Sequence, residues 1–167
     1  TGSEYALMLN IPASDTFAVR FAGTLRHVPG YLDNVRTGEK DINDYESEQA
    51  RVIAAWQPTE RFGVNAQYMR YRTDLGGFNY IDGRQPVRKR TMLLLNDFET
   101  AQVDLYGVGV NWDLGPASLV FESNRLKKER DMVNDVTQFL GLVGTGITVG
   151  QTFQEATDQK THEIRLV

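Results

Sequence analysis

Residues 56–64 read WQPTERFGV. An apolar run ends on Trp56, the tripeptide Pro58-Thr59-Glu60 follows, and a second aromatic-led run begins at Phe62. Two further links have the same character, Pro12-Ala13-Ser14-Asp15 and Asp113-Leu114-Gly115-Pro116. Proline, aspartate and glycine supply the turn chemistry in each. Each link joins two long runs in which apolar and polar residues alternate. That period of two belongs to a pleated strand whose faces meet different media.

The alternation is clearest at 16–28, where Phe17, Val19, Phe21, Gly23, Leu25 and His27 oppose Thr16, Arg20, Thr24 and Arg26. At 5–11, Tyr5, Leu7, Leu9 and Ile11 share a face. At 47–57 the face is Glu48, Ala50, Val52, Ala54 and Trp56, and at 61–72 it is Phe62, Val64, Ala66 and Tyr68. In 101–113, Tyr106, Val108, Val110 and Trp112 align, but Val103 and Leu105 fall out of step. A β-bulge near Leu105, or a strand projecting beyond its apolar band, accounts for that. Residues 117–127 set Leu119 and Phe121 against Ser118, Glu122 and Asn124, with Val120 an exception; 161–167 set His162, Ile164 and Leu166 against Glu163 and Arg165. Long polar connections are expected at 29–46, 73–98 and 128–160. The order is therefore strand, tight turn, strand, long loop, repeated.

The totals narrow the function classes. A chain of 167 residues is long enough for one domain with a core of its own. The net charge of −4 offers no basic stripe for nucleic acid. With no cysteine there is no disulfide, thiolate site or thiol nucleophile, and His27 and His162 alone do not make a histidine metal centre. No G-x-S-x-G, H-E-x-x-H or Walker loop occurs, so neither an enzyme nor a cofactor is expected. Both histidines lie on the apolar face, by this register near the long-loop rim, and read as interfacial. No run approaches the ~18 apolar residues of a membrane helix. A mean hydropathy of −0.40 is compatible with membrane β-strands, whose alternation averages out. The opening Thr1-Gly2-Ser3-Glu4 already lies at the edge of a strand-like run, which leads us to expect sequence upstream.

Two architectures compete. A soluble sandwich or lipocalin-like barrel turns its apolar face inward and usually has short loops at both ends. A transmembrane barrel turns that face to lipid, with short turns at one rim, long loops at the other and aromatic girdles between. The short–long asymmetry favours the second. So does the position of Phe17, Trp56, Phe62 and Trp112, all on the apolar face beside tight turns. Arg20, Arg26, Arg51, Asn65, Gln67, Glu122, Asn124 and Arg165 fit either a solvated exterior or a wet lumen. The fold class expected is all-β: an antiparallel, up-and-down transmembrane β-barrel segment of about seven strands. Seven is an odd number and cannot close such a barrel.

In this order, LNIPASDTFAVRFAG (9–23), GYLDNVRTGEKDINDYES (30–47), AAWQPTERFGVNAQYMRY (54–71), LYGVGVNWDLGPASLVFESN (105–124) and THEIRLV (161–167) resemble the barrel of a TonB-dependent receptor. The resemblance implies residues 1–167 as part of one β-barrel domain of about 22 strands. Plug domain, TonB box and remaining strands would lie outside this stretch. It further implies import of a scarce small ligand of the siderophore, cobalamin or oligosaccharide class across the outer membrane of a Gram-negative bacterium. The partners would be outer-membrane lipid, lipopolysaccharide and, through the absent box, TonB. The alternatives are a passive porin or adhesin barrel and a soluble all-β binding domain.

Three loop features invite a site. Phe78, Tyr80, Arg84 and Arg88, in GGFNYIDGRQPVRKR at 76–90, combine rings with guanidiniums that can grip an anionic or sugar ligand. An unliganded outer loop, or one whose cations meet lipopolysaccharide phosphate, is the competing reading. Asp41, Asn43 and Asp44, in an acidic cluster with Glu39 and Glu46, supply oxygen ligands for Ca²⁺ but lack EF-hand spacing, and a solvated loop explains them as well. FLGLVGTGITVGQTF at 139–153 is apolar and glycine-rich, suiting a lid or local packing between loops.

Overall fold

The computed structural model describes residues 1–80, 90–91, 95–137, 139–142 and 144–167. Seven long strands form one antiparallel sheet: β1 (Ser3–Pro12), β2 (Phe17–Val28), β4 (Tyr45–Thr59), β5 (Phe62–Leu75), β7 (Phe98–Asp113), β8 (Ser118–Asp135) and β9 (Gly150–Leu166). They are hydrogen-bonded in chain order, a simple meander. Two short strands, β3 (Asp33–Asn34) and β6 (Arg90–Thr91), pair in parallel within the long connections. Among the described residues there is no helix. The sheet is open: β1 and β9 are its two edges.

The tight turns follow the expected chemistry. Ala13 N and Ser14 N donate to Phe17 O at 2.9 and 3.1 Å. Asp113 Oδ1 accepts from Gly115 N at 2.7 Å, and Gly115 takes φ +92°, where a side chain would be strained. The middle turn sits slightly later than the sequence suggests. β4 continues to Thr59, paired with Phe62, and the register slips between Trp56 and Thr59. Pro58 lies in that slip, where its missing N–H costs no ladder bond.

Three expectations need correction. The first is the bulge near Leu105. Register is continuous on both sides of β7, from Phe98 to Asp113 on the β8 side. Leu105 and Val103 are in step with the opposite face, where Leu105 pairs with Met69 and Leu126. The second is the loop at 128–160, which shrinks to 136–149. The ends of β8 and β9 carry charges rather than apolar alternation, so their strand signal is electrostatic. Lys128 Nζ lies 2.9 Å from Glu155 Oε1, and Arg130 Nε 2.8 Å from Glu99 Oε1. The third is the self-contained core. Among the described residues Leu32 is the one buried apolar side chain. The accessible area is 11233 Å², against about 8,300 Å² for a compact chain of this mass. The missing burial is the apolar face of the sheet, which no second layer of the described residues covers.

Candidate functional site

Cross-strand register turns the alternating face into a map. One row runs Phe17, Trp56, Val64, Val110, Phe121, Ile164. A higher row, toward the long loops, runs Tyr5, Leu25, Glu48, Arg72, Gln102, Glu129, Ala156. The last residue of the unbroken apolar run upward from the tight turns is, on this face, Tyr5 on β1 and Leu25 on β2. It is Val52, Tyr68 and Tyr106 on β4, β5 and β7, if the small Ala50 is set aside. On β8 and β9 it is Phe121 and Ile164; beyond the charged rows Phe98 and Val133 return on this face as a register pair near the loops. The upper border of the belt therefore falls from the Leu25 row to the Phe17 row across the sheet. That is eight residues along a strand, ~27 Å, over six strand spacings, ~29 Å. Strands are thus tilted ~43° from the normal to this border, within the ~35–45° tilt of strands in membrane barrels. The lower border follows the tight turns and drops one row, to Phe62, Trp112, Leu119 and Leu166. The belt is tallest on β2.

Its side chains stand in the open: Leu7 is 75% exposed, Leu25 54% and Ile164 71%. The four expected girdle aromatics lie together at the tight-turn end. Trp56 meets Phe62 edge-to-face at 6.1 Å, and Phe62 meets Trp112 at 6.0 Å. Phe17 is the register partner of Trp56. His27, at the loop end of β2, bonds Glu46 at 3.2 Å. His162 departs from the expected rim position. It pairs with Ser123 low on the sheet, its Nδ1 2.9 Å from the Ser123 hydroxyl, because β9 begins eleven residues earlier than expected.

The opposite face is polar over its lower half. Arg20 Nε donates to Asn10 Oδ1 at 2.6 Å, and Arg51 donates to Gln67 Oε1 at 2.8 Å. Arg165 pairs with Glu163 at 3.0 Å. Gly107 and Gly109 make a flat floor there. A Cβ on Gly107 would sit 2.7 Å from Asn124 Oδ1, and one on Gly109 2.8 Å from Asn65 Nδ2. The glycines therefore let amide side chains from β5 and β8 lie across β7.

The loops gather at the far end. Phe78 and Tyr80 meet at 5.8 Å with their rings tilted by 41°, and Tyr80 meets Phe139 edge-to-face at 5.3 Å. Phe139, from the glycine-rich loop, is a partner that the sequence does not assign to them. Arg84 and Arg88 lie outside the described residues. Of the calcium candidates, Asn43 spends its Oδ1 on Tyr31 N and Leu32 N, at 2.7 and 2.8 Å, and donates to Asn79. Asp41 and Asp44 border an open cleft of about 600 Å³ with Glu39 and Asp97. Among the described residues no three acidic or histidine side chains group to hold a metal ion.

Asp97 is a buried carboxylate that sequence patterning does not flag. It is 2% exposed, accepts from Asp135 N at 2.5 Å through Oδ1, and leaves Oδ2 without a partner among the described residues. Asp135 in turn accepts from Thr137 N and Leu95 N. Burial pushes the Asp97 pKa up to about 6; the neighbouring Asp135 charge adds to this and the Asp135 backbone bond opposes it.

No protein family, curated protein or solved structure matches this chain. The site is therefore defined by its own geometry: an oblique exposed apolar belt, an aromatic rim, a polar reverse face and a knit loop end.

Proposed function

We propose that this sheet is a stretch of the wall of an outer-membrane β-barrel, of the type of the TonB-dependent receptors. Such a barrel imports a scarce small ligand of the siderophore, cobalamin or oligosaccharide class, with the loop end outside the cell. The observation that carries the membrane reading is the oblique belt. A soluble sheet has no reason to expose Leu7, Leu25 and Ile164, and none to shift its apolar border by eight residues across seven strands. A tilted sheet in a bilayer requires both. The receptor type rests on the sequence resemblance, and the polar reverse face suits the lining of a wet lumen.

The belt is tested with its own fluorophores. Trp56 and Trp112 are the two tryptophans of the chain, and both lie on the belt rim. In the intact protein reconstituted in vesicles, brominated lipids should quench them most with bromine near the headgroups. A monodisperse, cooperatively folding protein without detergent, whose tryptophans no brominated lipid quenches, would overturn the proposal. The transport reading is tested by growth of a deletion strain on single iron, cobalamin or oligosaccharide sources. Open conductance without an energy source would transfer the barrel to the passive porins.

A further inference from the structure

The cleft of about 600 Å³ at the loop end is acidic, and its volume is in the range of small-molecule sites. Glu39, Asp41, Asp44 and Asp97 line it, against His27 and Lys40. His27 is engaged by Glu46 at 3.2 Å. The Lys40 side chain makes no ion pair among the described residues. Two lining glycines let the walls approach: a Cβ on Gly30 would collide with the Asp41 carbonyl, and one on Gly76 with the Asp44 carboxylate. Asp97 is the unusual member. It is almost wholly buried, its Oδ1 is taken by the Asp135 amide, and its Oδ2 has no hydrogen-bond partner among the described residues. A buried carboxylate oxygen without a donor is costly. The burial that raises the Asp97 pKa is the same cost, expressed on its proton. A positively charged donor in the cleft offsets it.

We propose that this cleft binds a small molecule through a primary ammonium group, with Asp97 as its buried anchor and Glu39, Asp41 and Asp44 as outer charges. The site does not depend on the membrane reading, because it is built where the long connections meet, beyond the belt. The lining selects the kind of cation. Oδ1 of Asp97 is spent, so the paired donors of a guanidinium meet one free oxygen there rather than two. No phenylalanine, tyrosine or tryptophan among the described residues lines the cleft to receive a quaternary ammonium, which also brings no N–H to Oδ2. A bare calcium ion needs about six to eight converging oxygens, and among the described residues no three acidic or histidine side chains group to hold a metal ion. A primary ammonium carries its N–H donors on one compact charge. One donor meets Oδ2 and the others face the outer carboxylates.

The test titrates putrescine into the intact reconstituted protein by calorimetry, at neutral pH, where Asp97 is charged. The wild type should bind it saturably. Asp97→Asn should weaken binding roughly tenfold or more, the usual weight of a hydrogen bond to a charged group. Lys40→Gln removes a like charge from the cleft and should tighten it, and Glu129→Gln, outside the cleft, should match wild type. In the wild type, putrescine should also slow hydrogen exchange at the Asp135 amide, which bonds Asp97; this readout needs no variant to fold. Equal affinity in wild type and Asp97→Asn, or unchanged exchange at Asp135, overturns the anchor. Weaker binding by Lys40→Gln overturns the charge assigned to the ligand. Tetramethylammonium binding as tightly as putrescine overturns the primary ammonium as the group recognised. Displacement of putrescine by an equal concentration of calcium overturns the organic cation in favour of a metal ion. Absence of saturable binding overturns the site. None of these outcomes alters tryptophan quenching by brominated lipid, so the membrane reading is judged separately.

Discussion

Replacing Phe21 by arginine separates a lipid-facing belt from an exposed soluble surface. Phe21 stands midway along the β2 part of the belt, between Phe17 and Leu25, and is 44% exposed. The nine residues from Phe17 to Leu25 span ~27 Å along the strand, or ~20 Å along the normal of a bilayer crossed at ~43°; the apolar band of membrane barrels is about 25 Å tall. Phe21→Arg therefore places a guanidinium close to the midplane, at a cost of about 2–4 kcal/mol, whereas Phe17→Arg at the rim costs about 0–1 kcal/mol. On a soluble surface both exchanges would fall within about 0.5 kcal/mol of wild type. The assay is urea unfolding of the intact protein in bilayers, comparing free energies from matched slopes. Equal, small effects at positions 17 and 21 would refute the belt as a membrane surface. A larger cost at 17 than at 21 would refute the depth assigned to it.

Three further outcomes follow from the geometry. Gly107→Val drives a side chain into Asn124 Oδ1 and Gln67 and should cost about 1–3 kcal/mol in urea unfolding; adding Asn124→Ala should recover part of it. Asp104→Ala removes the acceptor shared by Tyr68, Arg70 and Gln102, with an expected loss of about 1–3 kcal/mol by the same measurement. Asp97 gives the loops a pH dependence. Its folded pKa of about 6 lies above the ordinary 3.8, so its contribution is fully favourable below pH ~4 and is lost as pH rises through ~6, up to about 3 kcal/mol. Hydrogen exchange at the Asp135 and Thr137 amides should accelerate over that window in wild type, and Asp97→Asn should flatten the dependence.

Much of this architecture is legible in the chain because a strand's two faces are written at adjacent positions. The alternation around Phe21 and Val108 locates strands without any partner, and the turn residues at Pro12, Glu60 and Gly115 locate their reversals. The aromatics beside the tight turns are visible for the same local reason. Strand length is less legible where charge replaces apolar alternation. Lys128, Arg130 and Glu155 look like loop residues until their partners are seen across the sheet. Asp97 is invisible for a related cause: its burial and its unpaired oxygen depend on where Asp135 lies, thirty-eight residues away.

What the sequence determined by itself is which residues share a face, because the period of two is a property of one strand. What only the tertiary structure decided is how those faces align from strand to strand. Register alone shows that the apolar border runs obliquely. It also sets Arg125 against Lys160. These relations join residues far apart in the chain, and hydrogen bonding between strands fixes them rather than any local preference.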